Sequence, residues 1–383
     1  MVWAIDIGLI LDQNTGRDGY TGDNRGDYTG SLIPRFSTLF GDRGDIYISA
    51  GITAEYSSEN WNIVPELLRT EFTWLFDMAD LRIGRIHYSD PLGFIAEGLF
   101  DGIHFSYDTN LGTFSLGGFY TGFLYNRRIN ITMTSDELEA YNAELDFNNL
   151  NTYFAPSRFI YALDWAHNGL GIGSIRPSFS VLGQFDLSES DLNSHYFTGL
   201  LSLPLDAFTF NVGGSVALIQ NSGDMETAFA LEGRIAWIPP VSFPSRLSVL
   251  GRYSSGMSVD NNIAAFMPIT TKFQGSILKA RLSALSMISM DYTARLNRTF
   301  SMSLSSSYFI RTDLGTYNRY PVVSDNNTGY LLGNEFSGRI YWSPYSDLSI
   351  NMGAGIFMPS MGDVSTDEKN LWRIEIGLVL SLY

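Results

Sequence analysis

Hydrophobic and polar residues alternate with a period of two along most of the chain. In the segment 299–312, for example, Phe300 and Met302 share one face, whereas Ser301 and Ser303 share the other. Successive side chains of a β-strand point to opposite faces, so the alternation predicts strands with one apolar and one polar face. Read in this way, the chain contains 18 strand candidates: 1–12, 31–41, 45–57, 61–77, 81–90, 99–109, 112–127, 158–167, 174–187, 194–204, 207–221, 226–239, 245–257, about 270–296, 299–312, 330–344, 347–359 and 371–383.

The connections between these strands alternate in length, and this pattern suggests the architecture. Short turns on one rim and long loops on the other are typical of bacterial outer-membrane barrels, which also have an even number of strands. The polar faces carry mainly Ser, Thr, Asn and Gly, where a water-exposed sandwich would carry Lys and Glu. We therefore predict an all-β fold, in which residues 1–383 form a single transmembrane antiparallel up-and-down β-barrel of about 18 strands. The short turns are 41–44, 78–80, 110–111, 204–206, 296–298 and 344–346, and the long loops are 13–30, 128–157, 187–194, 257–270, 312–330 and 360–370.

Composition narrows the possible functions. The chain has 383 residues, a net charge of −16 and no Cys. Because phosphate binding needs clustered positive charge, the acidic total argues against a nucleic-acid partner. No apolar run approaches the roughly 20 residues of a transmembrane helix. A signal peptide is not visible, since Met1–Ile7 already reads as a strand, so export would require that a leader has been removed.

Strand parity places many charged residues on the polar face, which in a barrel faces the lumen. A midplane Arg on the lipid face would cost about 2–4 kcal/mol, so inward placement is favoured. Both signs occur two residues apart, as in Arg69 and Glu71, which suits either a transverse field acting on solutes or ion-pair networks that stiffen the wall. The predicted pore-lining residues are Arg69, Glu71, Arg82, Arg158, Arg176, Glu232, Arg234, Arg252, Asp291, Arg295, Glu335, Arg339, Arg373 and Glu375.

The last strand ends in a pattern that resembles the insertion signal of outer-membrane barrels. Its residues are Glu375, Gly377, Leu380 and Leu382, and the chain closes on the aromatic Tyr383. We therefore expect the barrel assembly machinery to be a partner. An ordinary edge strand is the alternative interpretation.

Three segments interrupt the simple pattern. The loop 128–157 contains Ser135 ahead of an acidic stretch, which predicts a capped short helix that either constricts the mouth or covers the rim. The segment 266–296 is too long for one spanning strand, and the role of its first part, 266–282, is left open. The loop 14–30 carries several Asp residues, which suit a solvated acidic loop better than a Ca²⁺ site because no EF-hand register is present.

Catalysis is not indicated. His104, Ser106 and Asp108 lie on one face of a single strand, where parallel side chains do not form a Ser–His–acid relay. No metal-ligand spacing or phosphate-binding loop is present, so we predict a protein that is not an enzyme and uses no metal or cofactor.

Two regions resemble the alginate-export family of outer-membrane porins. The first runs from Leu81-Arg82-Ile83-Gly84-Arg85 to Phe100-Asp101-Gly102, and the second from Gly333-Asn334-Glu335-Phe336 to Gly353-Ala354-Gly355-Ile356-Phe357. The resemblance implies an 18-stranded porin and adds support for Arg82 as a pore-lining residue. Arg85 falls on the opposite parity unless a bulge intervenes.

Taken together, the sequence predicts a passive channel of the bacterial outer membrane, surrounded by lipid and lipopolysaccharide. Its expected solutes are small and hydrophilic or anionic, with saccharides among them. Two alternatives stay open: an adhesin or structural barrel plugged by its own loops, and an exporter of an anionic polysaccharide.

Overall fold

The structure is a closed barrel of 18 antiparallel strands. It is a computed structural model that describes residues 5–20, 23–57, 60–171, 174–188, 191–221, 223–258, 263–314, 328–364 and 369–382. Each strand pairs with the next in sequence, and the first also pairs with the last. The strands are β1 (Ile5–Tyr20), β2 (Asp23–Phe40), β3 (Gly44–Ser57), β4 (Asn60–Leu75), β5 (Ala79–Ser89), β6 (Glu97–Thr109), β7 (Gly112–Tyr120), β8 (Arg158–Ala166), β9 (Arg176–Asp186), β10 (Leu192–Leu205), β11 (Phe208–Asn221), β12 (Asp224–Trp237), β13 (Ser245–Ser254), β14 (Leu285–Arg295), β15 (Phe300–Arg311), β16 (Leu331–Trp342), β17 (Leu348–Met358) and β18 (Leu371–Leu382).

The predicted alternation is confirmed in the strand wall. In β15 the side chain of Leu304 points outward and is half exposed, whereas Ser307 and Phe309 point inward and are buried. Closure matters because an unpaired backbone N–H or C=O in hydrocarbon costs several kcal/mol, and a closed ladder leaves no edge strand. No helix in the described part of the chain is both long and apolar enough to cross a membrane.

The first hairpin corrects one predicted boundary. The segment 13–30, predicted as a long loop, belongs mostly to β1 and β2, which pair from Ile5↔Thr38 to Tyr20↔Asp23. Its Gly, Asp and Asn residues have low β propensity, but cross-strand pairing overrides that local preference. The hairpin therefore continues the wall instead of forming a loose acidic loop.

Three of the connections fold into the barrel: 90–96, 121–157 and 255–284, of which the last is described at 255–258 and 263–284. They join one another through backbone hydrogen bonds, from Thr270 N–H to Ile95 O at 3.0 Å and from Thr271 N–H to Asn130 O at 2.8 Å. The predicted loop 128–157 lies in the second connection, and the segment 266–282, left open by the sequence, lies in the third. Because the segment 266–282 folds into the barrel, it is not part of β14, which begins at Leu285.

The connection 121–157 contains two helices, α1 (Asn126–Ile129) and α2 (Ser135–Asn142). The predicted helix is present, but its N-cap is Thr134 and not Ser135. Thr134 Oγ1 accepts the N–H of Glu137 at 3.2 Å, and the carboxylate of Glu137 accepts the N–H of Thr134 at 2.9 Å. This capping box satisfies two backbone donors that a helix start otherwise leaves free.

The inward connections pack unevenly against the barrel wall. A buried apolar cluster joins them to β5–β12, with Phe94, Phe266 and Tyr196 near its centre. A second cluster joins the connection 255–284 to the upper parts of β13–β18. Among the described residues of β1–β4, Val64 is the one buried hydrophobic side chain. The wall of β1–β4 therefore stays free of apolar packing on its inner side.

The wall between β4 and β5 is closed partly by a loop. Their ladder runs from Leu75↔Asp80 to Thr70↔Arg85 and stops there, although β4 continues upward from Thr70 to Asn60. Arg85 donates to the carbonyls of Leu67 and Phe123, and so connects the free part of β4 with the connection 121–157. Side-chain hydrogen bonds thus replace the missing strand pairing.

Arg158 holds helix α2 against the wall, and its removal is expected to weaken the barrel. Its guanidinium is fully buried and bonds the carboxylate of Glu137 and the amide oxygen of Gln184. Breaking a buried ion pair by removing one partner costs about 3–5 kcal/mol. We expect Arg158→Met to lower the free energy of unfolding by about that amount, measured by urea titration in detergent and by loss of the compact band on heating in gels.

Arg176→Met serves as the matched control, because Arg176 is exposed at the start of β9. Its expected change in unfolding free energy is within about 0.5 kcal/mol. Equal unfolding curves for the two variants would contradict the anchoring role of Arg158.

Candidate functional site

The candidate site is the water-accessible lumen beside β15–β18 and β1. Strand register brings two adjacent rows of inward-facing residues together there. The upper row is Ser305, Ser337, Gly355, Arg373 and Asp18, and the lower row is Ser303, Arg339, Gly353, Glu375 and Gly16.

Arg373 is the centre of this wall. Its Nη1 lies 2.7 Å from Asp27 Oδ2 and 3.3 Å from Asp18 Oδ2, and its Nε lies 3.2 Å from Glu375 Oε2. A Cβ at Gly16 would approach Arg373 Nη2 to 2.4 Å, so a side chain there would displace the guanidinium from its position over β1. Arg373 therefore ties the last strand to the first two at the point where the barrel closes.

Arg339 and Glu375 form a second pair next to this network. Their side chains meet above Gly353, where a Cβ would lie 3.0 Å from Glu375 Cγ and 3.3 Å from Arg339 Nε. About two-fifths of the Arg339 side chain is exposed. The pair therefore lies at the water-filled face of the wall.

A cavity of about 160 Å³ opens at these rows. The connection 255–284 supplies its inner side through Ser276 and Ile277, and the strands supply hydroxyl, guanidinium and carboxylate groups. The strand residues that line it are Ser303, Ser305, Ser337, Gly338, Arg339, Tyr341, Gly353, Ala354, Arg373 and Glu375.

A second charged group lies between helix α1 and the wall of β3 and β4. Arg127 Nη1 lies 3.5 Å from Glu55 Oε2, and Arg128 Nη2 lies 2.8 Å from Glu66 Oε2. Burial raises the pKa of Tyr141 in helix α2, whereas the nearby Arg127 acts to lower it. The two arginines of helix α1 therefore contact carboxylates of the wall directly. Strand parity did not reveal these arginines because they lie outside the strands.

Two further predicted pairs lie on the inner wall. Arg69 Nε donates to Glu71 Oε2 at 2.7 Å, and its guanidinium lies 5.2 Å from the ring centroid of Tyr47. Arg82 lies 3.4 Å from Asp80, and its Nη2 is 2.9 Å from Nδ1 of His104. These residues are where parity places them, with Arg69 and Arg82 partly exposed.

Several predicted pore-lining residues are instead buried anchors. Glu335 accepts hydrogen bonds from the N–H groups of Ser276, Ile277 and Leu278 at 2.7, 3.1 and 2.9 Å, and from the hydroxyl of Ser276. It therefore fixes the connection 255–284 to β16 and does not face open water.

Arg252 and Glu232 act in the same way. They form a buried pair, and Arg252 also donates to Gln274 and lies 4.7 Å from the ring centroid of Phe94. Arg158, as described, is fully buried against helix α2. Inward parity was correct for these residues, but the inward connections cover them.

The remaining predicted residues are spread along the lumen. Arg234 is partly exposed beside Glu232, and Asp291 accepts from Ser289 and Ser305 at 3.0 and 2.7 Å. Arg295 ends β14 and donates to the carbonyl of Asn297 in the following turn, so it lies at the rim. Arg176 is exposed at the start of β9.

Arg85 connects parts of the wall, and strand parity alone did not determine which way its side chain points. Gly84 adopts a φ of +115°, and a Cβ there would overlap the carbonyl of Thr70. This local distortion turns Arg85 into the wall, where it forms a two-point pair with Asp101 at 2.7 and 2.8 Å. The glycine between two arginines was the available sequence signal.

The terminal strand gives its residues separate roles. Glu375 belongs to the Arg373 network, and a Cβ at Gly377 would lie 2.3 Å from Asn351 Nδ2. Leu382 points outward and is 44% exposed, whereas Tyr383 lies outside the described residues. Recognition of this strand, including Leu380, by the assembly machinery stays a prediction.

The row His104, Ser106 and Asp108 shows no hydrolase geometry. Nδ1 of His104 faces a guanidinium at 2.9 Å, and the Ser106 hydroxyl is 3.5 Å away. Asp108 instead accepts the hydroxyl of Thr113 at 2.5 Å. A relay needs a carboxylate that orients the His, and this row does not supply one.

Comparison with known proteins supports the fold. No protein-family model matches the sequence, and no curated protein matches it either. Among solved structures, the Pseudomonas aeruginosa channel OccK2 (OpdF) is similar with a TM-score of 0.67 at 10% identity, covering 99% of this chain and 97% of that one. OccK5 (OpdH) of the same organism matches with a TM-score of 0.63 at 10% identity, covering 99% of both chains.

These matches bear on the resemblance drawn from the sequence. They support an 18-stranded porin-type barrel, whereas the alginate-export label is not supported. The short motifs at 81–85 and 333–336 therefore do not identify a family.

Glu335 offers a direct test of how the inward connection is held. In Glu335→Ala, three backbone N–H groups lose their acceptor, each at a cost of about 1–3 kcal/mol if left unpaired. We expect the segment 276–278 to leave the wall and exchange these bonds for water, which widens the lumen. Planar-bilayer recordings should show a higher single-channel conductance than the wild type.

Two variants control this measurement. Glu335→Gln keeps one oxygen acceptor but places an NH2 group against the other backbone donors, so its conductance should lie between those of the wild type and Glu335→Ala. Glu226→Ala removes a carboxylate of β12 that forms no hydrogen bond or ion pair with the described residues of the inward connections. An unchanged conductance in Glu335→Ala would show that the anchor does not limit the passage.

Proposed function

We propose that this chain is a bacterial outer-membrane channel through which small hydrophilic or anionic solutes diffuse passively. The observation that carries the proposal is the uneven filling of the barrel. Apolar packing occupies β5–β12 and the upper parts of β13–β18, whereas β1–β4 and the rows around Arg339 and Arg373 present partly exposed charged and hydroxyl side chains inward. A wall of this kind supports a hydrated path for polar solutes.

The size of the inward connections suits a narrow passage. A barrel of about 16–18 strands leaves an aqueous lumen when nothing enters it, so three inward connections reduce it to a restricted route. Their mutual hydrogen bonds and the buried contacts of Glu335 and Arg252 keep them in place. The passage is therefore a fixed constriction, suited to diffusion of small solutes.

A solved neighbour supports the solute class. OccK2 has also been determined in complex with glucuronate, and that structure matches this chain with a TM-score of 0.66 at 10% identity, covering 99% of this chain and 98% of that one. A barrel of this fold can therefore hold a solute with the size and polarity of a small sugar acid. We propose the same size class here.

The environment follows from the outer face of the wall. Half-exposed Leu, Ile, Val and Phe side chains surround the strands, which suits lipid and, in the outer leaflet, lipopolysaccharide. We propose that β18 is read by the barrel assembly machinery during insertion. Export of an anionic polysaccharide and a loop-plugged adhesin are the competing functions.

Planar-bilayer conductance of the purified full chain tests the proposal. We expect stepwise, ohmic openings in KCl because the charged wall along β15–β18 and β1–β4 is wet. Absence of conductance from correctly folded protein would favour the plugged adhesin. Current block by uronate oligomers, but not by single uronate molecules, would favour polysaccharide export.

A further inference from the structure

The cavity between β15–β18 and the connection 255–284 carries more hydrogen-bonding capacity than its structural role uses. The hydroxyls of Ser303 and Ser337 form no hydrogen bond within the described residues, and Tyr341 likewise has none. The Ser305 hydroxyl donates to Asp291 at 2.7 Å and keeps acceptor capacity. Each hydroxyl both donates and accepts, so the group presents paired donors and acceptors to the lumen.

The charges around this cavity carry no positive excess. Three cations, Lys279, Arg339 and Arg373, meet the carboxylates Asp18, Asp27 and Glu375, and a further carboxylate, Asp291, accepts from Ser305. The two guanidinium groups are already paired with these carboxylates.

Lys279 interacts with Asp27 and Asp18 of the same network, so its positive charge is not unopposed. Burial lowers the pKa of its ammonium group, and the nearby Arg373 lowers it further, although Asp27 and Asp18 oppose this. An entering carboxylate would therefore compete with fixed carboxylates for donors and would leave the site with surplus negative charge.

The shape of the cavity suits a flat ring with polar edges. Gly338 and Gly353 contribute no side chains to its lining. Ile277 lies over Gly355, where a Cβ would come within 2.8 Å of Ile277 Cδ1, and offers one apolar contact. A ring with C–H groups on its face and hydroxyls on its edge matches this combination of apolar contact, serine hydroxyls and an Arg–Glu pair.

We propose that this cavity is a subsite for neutral polyhydroxylated solutes, such as a monosaccharide or polyol, in preference to carboxylates. The proposal rests on the channel function proposed above and names the solute that its wall selects. Adjacent hydroxyls of the solute accept from Arg339 and donate to Glu375, and its remaining hydroxyls bond Ser303 and Ser337.

Uptake by proteoliposomes containing the full chain tests this subsite. D-glucose and D-glucuronate form a matched pair of probes, because they differ only in the group at one ring carbon. We expect glucose uptake to saturate, and to require a lower concentration for half-saturation than glucuronate uptake does. In Ser303→Ala/Ser337→Ala, the half-saturating glucose concentration should rise about tenfold, as expected for the loss of two hydrogen bonds.

The control variant is Ser306→Ala. Ser306 follows Ser305 on β15, so its side chain points to the opposite face of the strand, away from the cavity. Its glucose uptake should match the wild type. Ser306→Ala should also keep the wild-type KCl conductance, and stepwise KCl openings in the double variant would show that it still forms a folded barrel.

Different results separate this proposal from the channel itself. Three results would overturn the neutral-solute subsite without contradicting the proposed channel function. They are glucose uptake that does not saturate, a lower half-saturating concentration for glucuronate than for glucose, and an unchanged half-saturating glucose concentration in the double variant. Absence of KCl conductance from folded wild-type protein would refute the proposed channel, and the subsite with it.

Discussion

The cost of placing charge against lipid determines how this barrel is built. An Arg at the bilayer midplane costs about 2–4 kcal/mol on the lipid face, so the charges of the strands point inward. Inside a narrow lumen, water is too limited to solvate each charge alone, and partners become necessary. Arg373 shows the result, since it meets three carboxylates from β1, β2 and β18.

Inward-facing charges serve two different purposes. Where a connection folds against the wall, they become anchors: Glu335 holds the segment 276–278, and Arg252 contacts both Phe94 and Gln274. Where no connection covers the wall, as at Arg339, they remain in contact with water. The free-energy cost of placing charge against lipid thus accounts both for the anchored connections that narrow the lumen and for the polar surface beside them.

This division explains how far sequence reasoning could reach. Alternation is a local property, so the 18 strands and their inward faces could be read from sequence. The contacts of inward connections are non-local, and nothing in the parity of Glu335 distinguishes it from Glu375, although one is a buried anchor and the other lines the lumen. The hairpin β1–β2 was mistaken for a loop for a related reason: its polar composition is a local signal, and the pairing that overrides it is not.

Close approach at glycines determines where the polar wall becomes a cavity. Gly16 allows Arg373 to cross β1, and Gly353 allows Arg339 and Glu375 to meet above the strand. Side chains at these positions would separate the ion pairs and expose single charges to the solute. Because the pairs form, the wall has alternating charge with little net excess, so a passing solute experiences many donors and acceptors but no dominant attraction for either sign. Discrimination in such a lumen depends on the geometry of hydrogen bonding, and this in turn depends on how firmly the connection 255–284 is held by Glu335.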